Sequence, residues 1–419
     1  MKKLSKNQKL IGFIAILIVA IIIAIVITTS IIKNNNQVAS EGYSATTANA
    51  GSSLISNYIL NGITIGGITG KMDILDTSDA TATPEDILWG KTGYVNGVKI
   101  TGTYDNSTLA QLKRSGQTVS ENTIVEDRYN NQIKVPAGFK ISEDSPVTIP
   151  EGVVIEDVSA GDENTKESQF VWIPVGEVKK EDGSTTTITL GRYDFNSDGS
   201  TTTVSSSFTE DTAESHNSSY GNAIAKDIND FIEKANSSGG YYIGRYEAGD
   251  TTATSSARTS STSDTNPIVS KAGVYPYNYI TQPQASSLCQ NMYSSSNFES
   301  DLINSYAWDT AIVFIQEFSG DTDYSSQAGR NTARAVQKCG ESILDYNLDE
   351  GDEAQDKRCN IYDMAGNTRE WSTETNSNTS YPCVTRGGYY SNTDNYTSRR
   401  FSYNTPYGGS ISARPTLYL

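Results

Sequence analysis

An α+β protein with much irregular loop is what the sequence predicts, carried behind a small β-module and one N-terminal apolar helix. Three observations lead there. Short β-branched and aromatic runs such as "SQFVWIPVG" are punctuated by Gly and Pro, as strands are. Three stretches of the C-terminal half repeat apolar residues at helical spacing. An uncharged run from Leu10 to Ile32 leads the chain and is long enough to cross a bilayer as one helix.

Lys2, Lys3, Lys6 and Lys9 precede the apolar run, and Lys33 alone follows closely, so the positive-inside rule puts the N-terminus in the cytoplasm and exports the rest. The expected location is the cell membrane, single-pass, with an extracellular C-terminal domain. A cleaved signal peptide competes, but the run is long for an h-region and no small-x-small site follows at once. A prepilin-like leader cut at Gly12-Phe13 is a third reading, and the glutamate that would open a mature pilin is missing.

The 419 residues suggest two or three domains, and the C-terminal half alone could bury one substantial core. A net charge of −17 without any basic patch argues against nucleic acid. Aromatics are skewed to 25 Tyr against 10 Phe and 4 Trp, and tyrosine suits binding surfaces. The one histidine, His216, sits in "AESHNSSYGN" and reads as an exposed loop residue. A Ser-His-Asp triad or a multi-histidine metal site therefore has almost nothing to work with. Cys289, Cys339, Cys359 and Cys383 all lie in the exported part, where an oxidising exterior permits disulfides; three pairings are open, as are free thiols.

Along the chain, 1–33 is the cytoplasmic stub and membrane helix, and 34–57 a polar tether. Residues 58–105 form the small β-module. There Thr83 can cap a short helix with Pro84 at its first position and Glu85 and Asp86 in its first turn. Asn96-Gly97 between β-rich flanks signals a hairpin, and "NGITIGGITG" from Asn61 weakly echoes it. This stretch resembles a module of phage tail and Gram-positive surface proteins, which implies a spacer. A linker with short strands fills 106–167, and 168–419 is the head. In the head, "FVWIPVG" is apolar on both faces and so central, while 183–220 is a Ser/Thr-rich insertion. The helical stripes are Ile224, Ile228, Phe231, Ile232 and Ala235, stopped by "NSSGG"; Ala285, Leu288, Cys289 and Met292; and Trp308, Ala311, Ile312 and Ile315.

The order "FVWIPVG", "GGYYIGRYEAG", the Cys289 helix, "YDMAGNTREW", "RGGYYSN" and "SARPTLYL" resembles the formylglycine-generating enzyme/sulfatase-modifying-factor superfamily over 168–419. The resemblance implies a C-type-lectin-like fold. It also shows a departure. The enzymes of that family carry a copper-binding cysteine pair after the RGG motif, where this chain has Asn392 and, approximately, Thr397. Neither supplies a thiolate, and one histidine cannot make the iron site of the related sulfoxide synthases, so no catalytic residue, copper or iron is expected. The expected head is a catalytically degenerate member of the family. An enzyme of the formylglycine-generating, oxidase type is the alternative, and a pilin-like or phage-derived structural component a further one.

The resemblance further implies a structural Ca2+ at the "N-x-x-G-N-x-x-E" turn, with side-chain oxygens from Asp363 and Glu370 and carbonyls from Gly366 and Thr368; the competing reading is that the two acids only hydrogen-bond the loop. Beyond it, "YYSNTDNYTSRRFSYNTPYGGS" mixes rigid amphipathic aromatics with short hydrogen-bonders, as binding loops do. Tyr389, Tyr390, Asn392, Asp394, Asn395, Tyr396, Ser398, Tyr403 and Asn404 are the candidate ligand contacts, for a glycan, peptide or protein partner. The stretch also resembles the variable region of diversity-generating retroelement targets. Arg386 and Arg414 flank it and are read as structural, pairing with carboxylates or carbonyls.

Overall fold

In the computed structural model the described residues are 61–419 apart from 66, 71–76, 211–225, 257–265, 294, 345–353, 379, 392–395 and 404–407. The apolar run Leu10–Ile32, the tether, His216, Ile224 and the loop residues Asn392, Asp394, Asn395 and Asn404 lie outside them. Among the described residues no helix is long and apolar enough to cross a membrane. The chain divides into two units, Met1–Thr77 and Ser78–Leu419. In the first, Thr64–Ile65 pairs with Ile68–Thr69 around Gly67. The Asn96-Gly97 hairpin belongs to the second.

That second unit is α+β. It opens with one 3-10 turn, Pro84–Asp86, on which Thr83 and Asp86 form a reciprocal capping box. The expected helix goes no further because Ile87 is already extended. Strands β1 (Thr92–Val95) and β2 (Val98–Thr101) follow, with Asn96 and Gly97 both at positive φ (50° and 76°), as a two-residue type I′ turn requires. Helix α1 (Thr108–Ser115) stands where the sequence reads as polar linker. Ser107 caps it by accepting from the Ala110 N–H, Gly116 ends it at φ 62°, and it buries only Leu109 and Ala110. So narrow an apolar face leaves little periodic signal.

Strands β3 (Thr123–Glu126) and β4 (Gln132–Val135) make a hairpin. The main sheet then begins at β5 (Phe139–Ile141) and β6 (Val154–Asp157), ahead of residue 168, and continues with β7 (Gln169–Pro174). Within the Ser/Thr-rich insertion, β8 (Phe208–Glu210) is an ordered edge strand. Helix α2 (Ile228–Ser237) leads into β9 (Gly240–Gly244), α3 (Gln282–Gln290) into β10 (Glu299–Leu302), and α4 (Ser305–Phe318) follows. The C-terminal elements are β11 (Arg369–Asn376), β12 (Cys383–Arg386), β13 (Arg400–Tyr403), β14 (Ile411–Ala413) and β15 (Pro415–Tyr418). Each helix starts where its sequence says: Asp227 caps α2, Thr281 with Gln284 makes a capping box on α3, and Asn304 caps α4.

The six-stranded sheet runs β10-β15-β9-β7-β6-β5. β7 sits inside it, and from Phe170 to Pro174 every residue is buried, which is why "FVWIP" carries no polar face. The second sheet runs β8-β11-β12-β13. One side of β11 is shared, antiparallel β8 taking Glu374–Asn376 and parallel β14 taking Arg369–Trp371. One core joins them, from Leu109 to Leu419, with Trp172, Trp308 and Trp371 fully buried. The residues between 106 and 167 are therefore part of the head's core.

Gly366 is needed for space. A Cβ built on it would stand 2.2 Å from the Gly329 carbonyl oxygen, because the two glycine backbones bridge directly. The left-handed positions of the turn are instead Asp363 (φ 60°) and Asn367 (φ 55°), residue types that tolerate them. Gly366→Ala is expected to lower stability by about 1–3 kcal/mol through overpacking, read from the midpoint of denaturant unfolding.

Candidate functional site

β11 alternates, and its two faces have different jobs. Glu370 and Glu374 point inward and are fully buried, while Arg369 is turned towards the aromatic side chains of the C-terminal strands. Glu370 meets Arg414: Nε donates to Oε2 at 2.8 Å and Nη2 to Oε1 at 2.6 Å. The same guanidinium donates from Nη1 to the Gly244 carbonyl and from Nη2 to the Tyr362 carbonyl, both at 2.8 Å. Arg386 does comparable work at the other end. It reaches Asp309 on α4 and Glu374 on β11, while Arg400 reaches the same two acids and Asp194. Arg192 from the insertion also pairs with Glu374. Both flanking arginines thus pair with carboxylates.

The turn residues lie between these networks. Asn367 donates from Nδ2 to Glu247 Oε2 (2.7 Å) and to the Gln337 carbonyl (3.1 Å), and its own carbonyl accepts from the Tyr390 N–H at 3.1 Å. Thr368 sends its N–H (2.9 Å) and hydroxyl to Glu247 Oε1. Asp363 accepts from the Gly340 N–H at 3.2 Å. Both Glu370 oxygens are engaged by Arg414, so at this turn Asp363 alone of the two expected carboxylates is uncommitted to a cation. That does not fit calcium, which wants several hard oxygens around it. Among the described residues no group of three or more His, Cys, Asp or Glu is placed to hold a metal.

At this turn one cation faces several buried acids. Arg414 is surrounded by Glu370, Glu247 and Asp363, all buried. Burial, and then Glu370, push the Glu247 carboxyl up to about 8, so it keeps its proton at neutral pH. Burial followed by the Glu247 and Asp356 charges pushes Asp363 well above the carboxylate range. Glu210 on β8 is pushed up to about 7 by burial and by Glu374 while it accepts from the Ser305 N–H and the Thr373 hydroxyl. Burial alone dominates Asp301, at about 6.

All four cysteines are free. Burial raises every one of them, to about 12 for Cys359 and about 11 for Cys383, and well above the ordinary thiol value for Cys289 and Cys339. None is poised as a thiolate.

The candidate loop residues separate into two groups. Tyr389 and Tyr403 meet around Arg369, whose guanidinium carbon lies 4.0 Å from the Tyr389 ring centroid and 5.0 Å from that of Phe401. Arg369 Nη1 also donates to the Tyr403 hydroxyl at 2.7 Å. Tyr390 packs edge-on against Tyr389 at 5.4 Å, and Arg399 covers Phe401 at 5.2 Å. The tyrosines and Phe401 are half-buried, and they stand on β13, the outer strand of the second sheet, or beside it. Tyr396 is 46% exposed and outside this cluster's ring contacts. Ser398 is turned to the body, donating its N–H and hydroxyl to the Ser325 carbonyl. Sequence reasoning missed Arg369, Arg399 and Phe401. The period of two through "TREW" and "RRFSY" is the signal that could have found them, since Glu370 and Arg400 inward puts Arg369 and Phe401 outward.

Glu370→Ala would strand the buried Arg414 charge and is expected to cost about 3–5 kcal/mol, with the double change Glu370→Ala/Arg414→Met recovering part of it in denaturant unfolding. The raised acids set the pH dependence. Their folded values of about 6 to 8 lie above ordinary carboxylate values, so the stability they contribute is full below about 4 and is lost as pH rises through 6 to 8. The melting temperature should therefore fall from mildly acid to alkaline pH. Glu210→Gln, which mimics the protonated acid, should flatten the part of that fall that ends near pH 7.

No protein-family model matches the chain, and no curated protein does. Among solved structures it is similar to one described as "Crystal Structure of CarF", at 12% identity and a TM-score of 0.28, over 59% of this chain and 98% of that one. So low a TM-score carries no argument about fold or function.

Proposed function

We propose that the chain is a membrane-anchored cell-surface binding protein whose C-terminal head, a non-catalytic relative of the formylglycine-generating enzymes, takes an extracellular ligand on its Tyr-rich face. The observation that carries this reading is the Arg369 cluster. Tyr389, Phe401 and Tyr403, on or beside the outer strand β13, surround the guanidinium of Arg369 on β11, and the residues flanking them, 392–395 and 404–407, are Asn, Thr, Asp, Pro and Tyr. Tyrosine and arginine are the residue types that dominate binding energy at recognition surfaces. Half-buried tyrosine and phenylalanine rings packed over a buried guanidinium suit a ligand with hydroxyl or aromatic groups. The thiols support the absence of oxidase chemistry, since each is held neutral by burial. The uncharged Leu10–Ile32 run behind four lysines supports the anchor.

Glycan and peptide arrays probed with the chain from residue 35 onward test the reading. Binding to at least one probe is expected, and Tyr389→Ala or Tyr403→Ala should weaken it by about tenfold or more with the melting temperature little changed. Copper-dependent oxidation of a cysteine peptide by the same fragment would overturn it. Protease added to intact cells should remove the head and spare the N-terminal stub.

A further inference from the structure

Residues 191–210 of the Ser/Thr-rich insertion run as a strap beside the second sheet and the start of α4, tied down at both ends. At one end the Gly191 N–H donates to Thr310 Oγ1 at 3.1 Å and the Tyr193 N–H to Asp309 Oδ2 at 3.0 Å. Asp194–Phe195 then pairs with Thr201–Thr202 in a small hairpin. At the other end β8 lies along β11. There the Thr209 and Thr375 hydroxyls meet at 2.9 Å, and the Ser377 N–H donates to the Ser207 carbonyl at 2.8 Å. Four residues of the strap are charged. Asp198 closes the hairpin tip by accepting from Ser200, while Arg192, Asp194 and Glu210 reach the body of the head.

The register of β8 sets Glu210 directly opposite Glu374. Like charges opposed across antiparallel strands destabilise the pairing. Glu374 is the ionised member: despite its burial, Arg386, Arg400 and Arg192 hold it below the usual carboxylate range. Those three guanidiniums already face three carboxylates, Glu374, Asp309 of α4 and Asp194 of the strap. An ionised Glu210 would be a fourth, and among the described residues no cation pairs with it. Glu210 is half-buried, with its carboxyl turned inward: Oε1 accepts from the Ser305 N–H, and Oε2 lies 2.6 Å from the Thr373 hydroxyl. Both partners are uncharged, and the hydroxyl can accept from a protonated carboxyl as well as donate to a carboxylate. Register, charge balance and partners all favour a neutral Glu210 in the closed strap, in line with the rise to about 7 that burial and then Glu374 give it.

We propose that the strap is a proton-controlled cover: with Glu210 protonated β8 lies on β11, and as Glu210 gives its proton to solvent the pairing loosens and the strap lifts. The sign follows from the direction of the shift. A carboxyl raised in the closed form favours closure fully below about pH 4, and this advantage is lost as pH rises to about 7, above which open and closed forms ionise alike. Lifting the strap reaches the outer strand through Arg400 of β13. That guanidinium donates to the Tyr193 carbonyl at 3.0 Å and to Asp194 at 2.6 Å, and its carbon lies 5.8 Å from the Phe208 ring centroid. All three contacts belong to the strap. The cover operates whether or not the Tyr-rich face binds a ligand.

Hydrogen–deuterium exchange of the full chain, followed by mass spectrometry between pH 5 and 8 and corrected for the intrinsic chemical rate, tests this. The reporters are peptides holding 207–210, Ser305 and Ser377, because the Ser305 N–H is held by Glu210 itself and the Ser377 N–H by β8. Peptides from β7, where the Trp172 N–H is held by the Val153 carbonyl, give the exchange of the core. The strap should exchange faster than β7, as a locally opening unit does. Its protection should fall by up to about tenfold per pH unit from pH 5 and level off near 7, the signature of one proton. In Glu210→Gln, where the side chain is neutral at every pH, that fall should vanish and the strap should be better protected at pH 7 than in the unaltered chain. A strap that exchanges no faster than β7, or a fall that persists in Glu210→Gln, would overturn the proposal. The unaltered chain decides alone if the variant does not fold, since flat strap protection from pH 5 to 7 also overturns it.

Discussion

The contact on which the rest of the head depends is the pair between Arg414 and Glu370. The chain from Ile411 to Tyr418 belongs to two sheets in succession, lying parallel on β11 and then entering the six-stranded sheet beside β9. Arg414 is the residue at the crossing. Four of its donor contacts go to Glu370, to Gly244 at the end of β9 and to Tyr362 before the turn, so one side chain spans both sheets and the "DMAGN" segment. A guanidinium is suited to this because its donors are rigid and fork-shaped; a lysine at the same place would satisfy fewer partners. Buried pairs of this kind add little net stability over a well-packed apolar substitute. What they specify is register, since no shifted crossing would bring four acceptors round the same carbon.

A second buried network carries that order outward. Arg386, Arg400 and Arg192 face Asp309, Glu374 and Asp194, three cations against three carboxylates. Balanced charge keeps Glu374 ionised, below the usual range despite its burial, with Arg386 and Arg400 as the opposing causes. Around Arg414 the acids outnumber the one cation, and protons on Glu247 and its neighbours make up the difference. The two networks thus solve one problem, burying charge beneath the C-terminal strands, by ion pairing in one case and by protonation in the other.

How much of this the sequence disclosed depended on periodicity. The central strand, the hairpin at Asn96-Gly97 and the three later helices follow from spacing, although Met292 of the second stripe lies past the end of α3 and Ile224 of the first lies outside the described residues. Helix α1 was hidden because it buries only two side chains, and β8 because "SSFTE" is polar yet pairs through backbone with β11. The turn was legible as a fixed point but not in its chemistry. Asp363 and Glu370, seven residues apart, suggest joint ligation, and only the fold reveals that Arg414, forty-four residues beyond Glu370, has taken both its oxygens. Gly366 shows the same limit: a sequence indicates that a glycine matters, while the reason, contact with Gly329, comes from another part of the chain.

The arrangement also separates what must stay fixed from what can vary. The segments 392–395 and 404–407 are flanked by backbone anchors. Tyr390 donates to the Asn367 carbonyl, Thr397 to that of Gln327, Tyr279 to that of Gly408, and Asn278 holds the Gly409 carbonyl at 2.9 Å. Between the anchors, alternation along β13 sends Arg400 into the ion network and Phe401 and Tyr403 to the outer face. Changes on the outer face therefore need not disturb the inner one, because adjacent residues of a strand point to opposite sides. Ser398 marks where this freedom stops: it looks like its neighbours in the sequence, but its hydroxyl is bonded to Ser325 and it belongs to the scaffold. A surface built this way can change residue by residue while the same arginines hold the strands beneath it.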